Sequence, residues 1–337
     1  MKNILYIGNQ LAQKGKTVTT IDSLGPLLEK EGYQLRYASS VPNIGRRMVD
    51  MMRTTFKSRQ WADVVLIDTY STKNFWFAIV IARICISFNM KYIPILHGGN
   101  LPDRLDKNPK VTRAFLHNAH AVVSPGDYLL TAFAKYGYHN ITKINNFIEI
   151  ENYPFLERSV LEPKLLWVRS FAEIYNPQMA VRVLHLLKEK YPKASLTMVG
   201  PEKDGALESS KLLAQELQLE VNFTGLLSKK QWIERSKDHS IFINTTHFDN
   251  LPVSLIEAMA LGLPVVSTNV GGIPYLIQHN VHGNLVPDDD VGAMVENIHH
   301  LIQHSKDVMT MVTNARKRSL NYSWKEVSQQ WRSLLDA

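Results

Sequence analysis

Residues 249–264, DNLPVSLIEAMALGLP, set two carboxylates around the start of a short amphipathic helix. Pro252 suits the first helical position, where its missing N–H costs nothing, which makes Asn250 or Leu251 the cap. Leu255, Ile256, Met259 and Ala260 form an apolar face, Gly262 suits a left-handed stop, and Pro264 forbids continuation. The helix follows an apolar strand, so its free N–H groups and positive dipole end make a ready anion site, most naturally for phosphate. Asp249 and Glu257 are eight residues apart, about 80° beyond two turns, and cannot share one helical face. Asp249 reaches from the loop and Glu257 projects from the second turn. Carboxylates flanking a phosphate suit hydrogen bonds to sugar hydroxyls. The alternative is a capped helix with a chance glutamate.

Other patterns suggest chemistry less well. Gly8 and Gly15-Lys16-Thr17 look like a P-loop, but that pattern needs glycine at position 10, where Gln10 stands. Asp288-Asp289-Asp290 offers carboxylates to a metal, yet acids also favour a helix N-terminus, and no metal is expected there. His299, His300 and His304 contain an i, i+4 pair without a third ligand and read as a solvated face. Cys85 is the single cysteine and lies in the apolar run FWFAIVIARICISF. It reads as a buried thiol, and neither an intramolecular disulfide nor a thiolate-rich zinc site can form.

Positioning these groups requires a scaffold. At 337 residues the chain exceeds one ordinary core, so two domains of roughly 150–190 residues are expected. With 45% hydrophobic and 20% charged residues it is not disordered, collagenous or coiled-coil. Apolar runs at 4–7, 35–38, 64–67, 92–96 and 121–124 read as strands, with helices near 17–31, 46–60, 74–89, 108–119 and 126–137. The rhythm repeats, with strands at 165–168, 196–199, 221–224, 240–244 and 264–267. Helices are expected near 177–190, 205–218, 228–237, 252–261, 291–304 and 323–335. Wholly apolar strands suit parallel sheets covered on both faces, so two doubly wound domains are expected. The polar, proline-containing segment Glu149–Arg158 is the linker candidate. Ligands of such sheets bind at the carboxyl ends of the strands. The stretch 75–90 is interrupted by Arg83, Ser87 and Asn89 and is too short to span a membrane. The N-terminus MKNILYIGNQ turns polar too quickly for a signal peptide, so a cytoplasmic protein is expected.

The run FINTTHFDNLPVSLIEAMALGLPVVSTNVGGIPYLI strongly resembles the family 4 glycosyltransferases. Their hallmark is Glu, seven residues, Glu, then Ala-Met-Ala, Gly and Pro-Val-Val, with a following Gly-Gly turn. WVRSFAEIYNP, SLTMVGPEKDG, VNFTGLLSKKQW and VHGNLVPDDD resemble further segments of the family, as do YIPILHGGN and AVVSPGDYLLTAFAKYG in the first half. The resemblance implies an α/β GT-B fold, two Rossmann-like doubly wound domains facing each other across a cleft. They would comprise residues 1–150, rejoined by a terminal helix at 322–337, and the donor domain 151–321. It implies retaining transfer of a hexosyl unit without metal or cofactor. The donor would be a nucleotide-diphosphate sugar, and the acceptor a glycan or lipid-linked hydroxyl in bacterial-type cell-surface polysaccharide synthesis. The alternatives are a weakly active or inactive nucleotide-sugar-binding homologue, and a nucleotide-sugar epimerase. Epimerases share the fold but do not carry this helix pattern with Arg169.

Carried over residue by residue, Arg169 would meet the departing diphosphate, its planar fork matching phosphate oxygens. Asp249 would bind donor-sugar hydroxyls and support the cationic sugar, Glu257 would bind the nucleotide ribose, and His97 would contact the transferred sugar. Asn250, Leu251, Pro252, Val253 and Ser254 form the helix start on the donor phosphates. Gly8 and Gly15 would let the backbone approach them. The sequence also departs from the pattern. Asp249 replaces the first Glu, Tyr175 and Asn176 replace a Lys-Gly pair, and Tyr275 replaces a Glu. The lost lysine removes a diphosphate cation, for which Lys203, Lys14 or Lys16 could compensate.

Net charge is +7, divided unevenly: residues 1–150 hold 19 basic and 10 acidic residues, the remainder 19 and 21. A basic half suggests nucleic acid or an anionic membrane as partner. Residues 44–61 concentrate Arg46, Arg47, Arg53, Lys57 and Arg59 against one acid, Asp50. Ile44, Met48, Met51, Met52 and Phe56 recur there at helical spacing. That basic amphipathic helix suits peripheral contact with the inner face of the membrane, on the acceptor side. No recognition motif points to nucleic acid.

Overall fold

The computed structural model describes residues 2–14 and 18–337. The chain forms two compact units: residues up to 145 with 327–337, and residues 146–326.

The first unit carries β1 (Asn3–Ile7), β2 (Gln34–Ala38), β3 (Val64–Thr69), β4 (Tyr92–Leu96), β5 (Val122–Ser124) and β6 (Ile141–Lys143). They form a parallel sheet in the order β2-β1-β3-β4-β5-β6. Every residue of β3 and β4 is buried, as continuous apolar runs covered on both faces require. The apolar stretch at 75 onwards is the helix Phe75–Ser87, packed in this core. Burial there pushes the Cys85 thiol up to about 12. Among the described residues no helix is long and apolar enough to cross a membrane.

The second unit carries β7 (Lys164–Val168), β8 (Ser195–Val199), β9 (Asn222–Gly225), β10 (Ile241–Asn244), β11 (Val265–Thr268) and β12 (Asn284–Val286). Its parallel sheet runs β12-β11-β10-β7-β8-β9. Trp167, Phe171, Leu184 and Met294 anchor one covered face, and Leu166, Phe242 and Met259 lie on the other. β6, β12, the short helices Asp103–Lys107 and Ile273–Leu276, and the long helix Ser305–Leu320 were not expected from the sequence.

The segment 149–158 is no free linker. Tyr153 is buried, and Arg158 donates to the carbonyl oxygens of His239, Leu156, Leu261, Gly262 and Ser236 at 2.8–3.1 Å. Residues 146–150 and 322–326 also belong to the second unit, where the sequence reading gives them to the first. The reason is a bridge between Ile148 and Ser323. Ile148 N–H donates to Tyr322 O (2.8 Å), Trp324 N–H donates to Ile148 O (3.1 Å), and the Phe147 and Trp324 rings lie 5.0 Å apart.

His299 leaves the solvated face assigned to it. Its Nδ1 lies 2.7 Å from the Tyr191 hydroxyl, while the His300 and His304 rings stack at 4.3 Å. The three consecutive aspartates part ways. Asp288 pairs with His247 (2.9 Å), Asp289 with Asn176 (2.8 Å) and Arg182 (3.0 Å), and Asp290 caps the helix Val291–Gln303.

Candidate active site

Parallel sheets bind ligands beyond the strand ends where the strand order reverses. In the second unit that point lies between β7 and β10, since the chain steps outward through β8 and β9 and then returns to β10. Arg169 directly follows β7, and the loop carrying Asp249 follows β10. The sheet therefore brings together residues that are 80 positions apart. The Arg169 guanidinium is ion-paired with Asp249 and lies 4.2 Å over the Tyr175 ring. Burial lowers its pKa, and Tyr175 and Glu257 oppose that shift. Its Nε has no hydrogen-bond partner among the described residues.

Glycine is required on both sides of this pair. A Cβ on Gly200, which follows β8, would lie 1.7 Å from the Arg169 carbonyl oxygen. Gly271 has φ +54°, and a Cβ there would come within 2.2 Å of the Asp249 carbonyl oxygen. Gly272 N–H donates to that same oxygen at 2.8 Å, fixing the loop.

The helix is Val253–Ala260, with Pro252 rather than Asn250 or Leu251 at the cap, because Pro252 keeps an extended ψ of 111°. Pro252 has no N–H, so the helix end offers the N–H groups of Val253 and Ser254, with no side-chain cap competing. Asn250 and Ser254 are buried, and Asn250 Oδ1 and Ser254 Oγ have no partner among the described residues. Leu251 is buried, and its carbonyl accepts from Asn146 Nδ2 at 3.4 Å.

Glu257 is only 2% exposed. Its Oε1 accepts from the Tyr153 hydroxyl (2.7 Å) and pairs with Lys229. Neither partner was read from the sequence, because they lie outside the quoted helix. Lys203 is exposed and its side chain joins none of these groups. In its loop Glu202 closes the start of the helix Ala206–Glu216, accepting from the N–H groups of Lys203, Gly205 and Leu207 at 2.6–2.8 Å. Asn176 takes the position of a glycine at φ +44°, which asparagine tolerates. Tyr275 is exposed.

In the first unit the strand order reverses between β1 and β3. Gly8 follows β1, Asp68 is the penultimate residue of β3, and His97 follows β4. His97 Nε2 lies 2.8 Å from Asp68 Oδ1, which also accepts from the Tyr6 hydroxyl at 3.1 Å. Gly8 is small for a reason inside the protein, since a Cβ would lie 2.5 Å from Asp68 Oδ2. Gly15 and Lys16 lie outside the described residues, and Lys14 is exposed.

The basic helix is Ile44–Lys57, with Arg46, Arg53 and Lys57 exposed. Arg47 is a correction. It shares the inner face with Met51 and Thr55, is 6% exposed, and lies 5.9 Å from the Phe77 ring. Burial lowers its pKa. Of the apolar residues read there, Ile44, Met52 and Phe56 are exposed with Val49, whereas Met51 is buried in the core and Met48 packs against it.

The model of the family "Glycosyl transferases group 1" matches residues 153–318, the segment that holds Arg169, Asp249 and Glu257. This chain is a glycosyltransferase with a group 1 domain. It is 26% identical over 348 residues to an uncharacterized glycosyltransferase of Haemophilus influenzae, covering 98% of this chain and 94% of that protein. It is also 26% identical over 253 residues to the amylovoran biosynthesis glycosyltransferase AmsK of Erwinia amylovora, covering 68% of this chain and 59% of that one. Among solved structures, sucrose-phosphate synthase from Thermosynechococcus elongatus superposes with a TM-score of 0.85 at 15% identity, covering 100% of this chain and 98% of that one. HepE of Anabaena in complex with UDP-glucose superposes at 0.78 and 16% identity, covering 100% of both chains. These likenesses show the GT-B fold. In this glycosyltransferase the structure pairs Arg169 with Asp249, and it gives Glu257 and His97 the partners Tyr153, Lys229 and Asp68, which the sequence reading did not name. That reading also took Tyr175 only as a lost lysine, where its ring supports Arg169.

Proposed function

We propose that this glycosyltransferase moves a hexosyl unit from a nucleotide-diphosphate sugar to a hydroxyl of a glycan or lipid-linked acceptor. The transfer retains configuration, needs no metal, and serves cell-surface polysaccharide synthesis. One observation carries this reading. Arg169 Nε, Asn250 Oδ1 and Ser254 Oγ are buried polar atoms without partners among the described residues, and the helix Val253–Ala260 has no side-chain cap. Buried polar groups ordinarily have partners, and a sugar diphosphate supplies acceptors for Arg169 and Ser254 and hydroxyl donors for Asn250. The names of AmsK and of the colanic acid relative WcaL support the polysaccharide assignment.

Breaking the sugar–diphosphate bond places charge on the departing phosphate, and fixed donors must meet it. Arg169 and the N–H groups of Val253 and Ser254 do so. Asp249 meets Arg169 through Oδ2 and offers Oδ1 to a sugar hydroxyl. Glu257, with Oε1 held by Tyr153 and Lys229, offers Oε2 to the ribose. The acceptor hydroxyl attacks on the face the diphosphate leaves. UDP-, GDP- and ADP-sugars screened by thermal shift test the reading. A matching donor at 100 times its Kd stabilises by about 2.7 kcal/mol. No shift with any of them overturns the reading, and binding without transfer or donor hydrolysis marks a non-catalytic homologue.

The basic helix supports peripheral contact with an anionic membrane. Exposed Arg46, Arg53 and Lys57 stand beside exposed Ile44, Val49, Met52 and Phe56. Arg59 lies 4.1 Å over the Phe56 ring, which meets the ring of exposed Phe88 at 5.5 Å. Changing Arg46, Arg53 and Lys57 to Glu should abolish co-sedimentation with phosphatidylserine vesicles, each charge near the surface being worth about 1 kcal/mol. Arg47 is left in place because it is buried. Undiminished sedimentation of the triple variant would assign membrane contact elsewhere.

A further inference from the structure

We propose that Asp68 is a positioning residue that keeps the His97 proton on Nε2, so that Nδ1 is the ring atom offered to a hydroxyl of the transferred sugar. The proposal rests on the reading that His97 meets that sugar.

The argument begins with cost. The Asp68 side chain is 0% exposed, and Oδ2 has no hydrogen-bond partner among the described residues. A buried carboxylate with so few donors destabilises a fold unless it is paired. Among the described residues its two donors are the Tyr6 hydroxyl and His97 Nε2, and both converge on Oδ1. Tyr6 stays a protonated donor, since burial first, and Asp68 next, raise its pKa. Packing alone would be served by an apolar residue at that position of β3, and the space beside Oδ2 exists only because position 8 is glycine.

The same geometry fixes the imidazole. A carboxylate 2.8 Å from Nε2 holds the proton there, and the opposite nitrogen is left as an acceptor. The Tyr70 ring, tilted 31° to the imidazole with centroids 5.2 Å apart, limits ring rotation. The contact of Nδ1 with the Thr20 hydroxyl is long, 3.5 Å, and is easily exchanged for a substrate O–H. An imidazole held this way accepts from a sugar hydroxyl, whereas the other tautomer would turn an N–H toward it.

Long-range proton–nitrogen NMR of 15N-histidine-labelled protein, at a pH where the ring is neutral, reads the tautomer directly. The wild type should show Nε2–H at His97. In Asp68→Asn the amide can donate to Nε2, and the proton should move to Nδ1. With a working donor, kcat should fall about 10²-fold or more while KM for the donor changes little, as wrong-tautomer variants behave in other enzymes. Tyr6→Phe, which keeps the carboxylate, should keep Nε2–H. Nδ1–H in the wild type overturns the proposal without any variant having to fold. An Asp68→Asn protein with Nε2–H and wild-type kcat overturns it as well. If no donor is turned over by the wild type, the sugar-transfer reading fails, while the tautomer result still tests the Asp68–His97 link.

Discussion

Arg169→Met should lower kcat for transfer about 10²- to 10³-fold, the loss associated with removing one preset donor from developing charge, or roughly 2.7–4 kcal/mol. Arg169 has an ion pair with Asp249, a supporting ring in Tyr175, and an Nε without a partner among the described residues. Arg169→Lys keeps the charge but neither the fork nor the stacked plane, so its rate should fall between those of methionine and the wild type. Both variants should weaken nucleoside diphosphate binding in calorimetry. Asp249→Asn combined with Arg169→Met should cost less than the sum of the two, because each change alone leaves the other residue half-buried without its counter-charge. Wild-type kcat and nucleotide affinity in Arg169→Met would place the diphosphate elsewhere.

Arg158→Met should be the most destabilising single change in the second unit. Its guanidinium serves five carbonyl oxygens and, pushed down to about 10 by burial, bears the strain of a charge out of water. Methionine fills much of the space but takes the donor from all five carbonyls, of which, among the described residues, only Leu261 and Ser236 keep the backbone N–H of Leu156 and of His239. A cost of about 3–5 kcal/mol is expected, as for breaking other buried charged networks. At roughly 2–4 °C per kcal/mol for a domain of this size, the melting transition of the second unit should drop by about 10 °C. Nucleotide affinity measured well below that transition should be retained. A shift below about 2 °C would mean that water replaces the guanidinium at no cost.

Most elements were legible because parallel strands are continuous apolar runs and their helices have clear stops. β6 and β12 were not, having three residues each. The helix Ser305–Leu320 escaped notice because it is polar, yet Val308, Met311, Val312, Ala315 and Ser319 recur at helical spacing and are buried. Arg47 was misplaced by residue type. Its spacing of four from Met51 and eight from Thr55 puts it on the inner face regardless of charge. In the site, Arg169 and Asp249 were legible as functional types at strand ends. The link from Tyr153 to Glu257 joins positions 104 residues apart, and the link from Asp68 to His97 joins positions 29 apart. Such pairings exist only once the sheets are built.

The Ile148–Ser323 bridge bears on the order of folding during synthesis. The first unit is discontinuous: Asp336 accepts from the Tyr33 hydroxyl (3.0 Å), and Arg332 pairs with Glu31 (3.5 Å). Closing a loop of about 300 residues in a flexible chain costs on the order of 5 kcal/mol, from its (3/2)RT ln n dependence. A folded second unit shortens that loop, because the bridge holds the chain's exit beside its entry. Residues 327–337 then reach the first unit across a short tether. The contiguous second unit thereby acts as an internal template for completing the unit into which it is inserted.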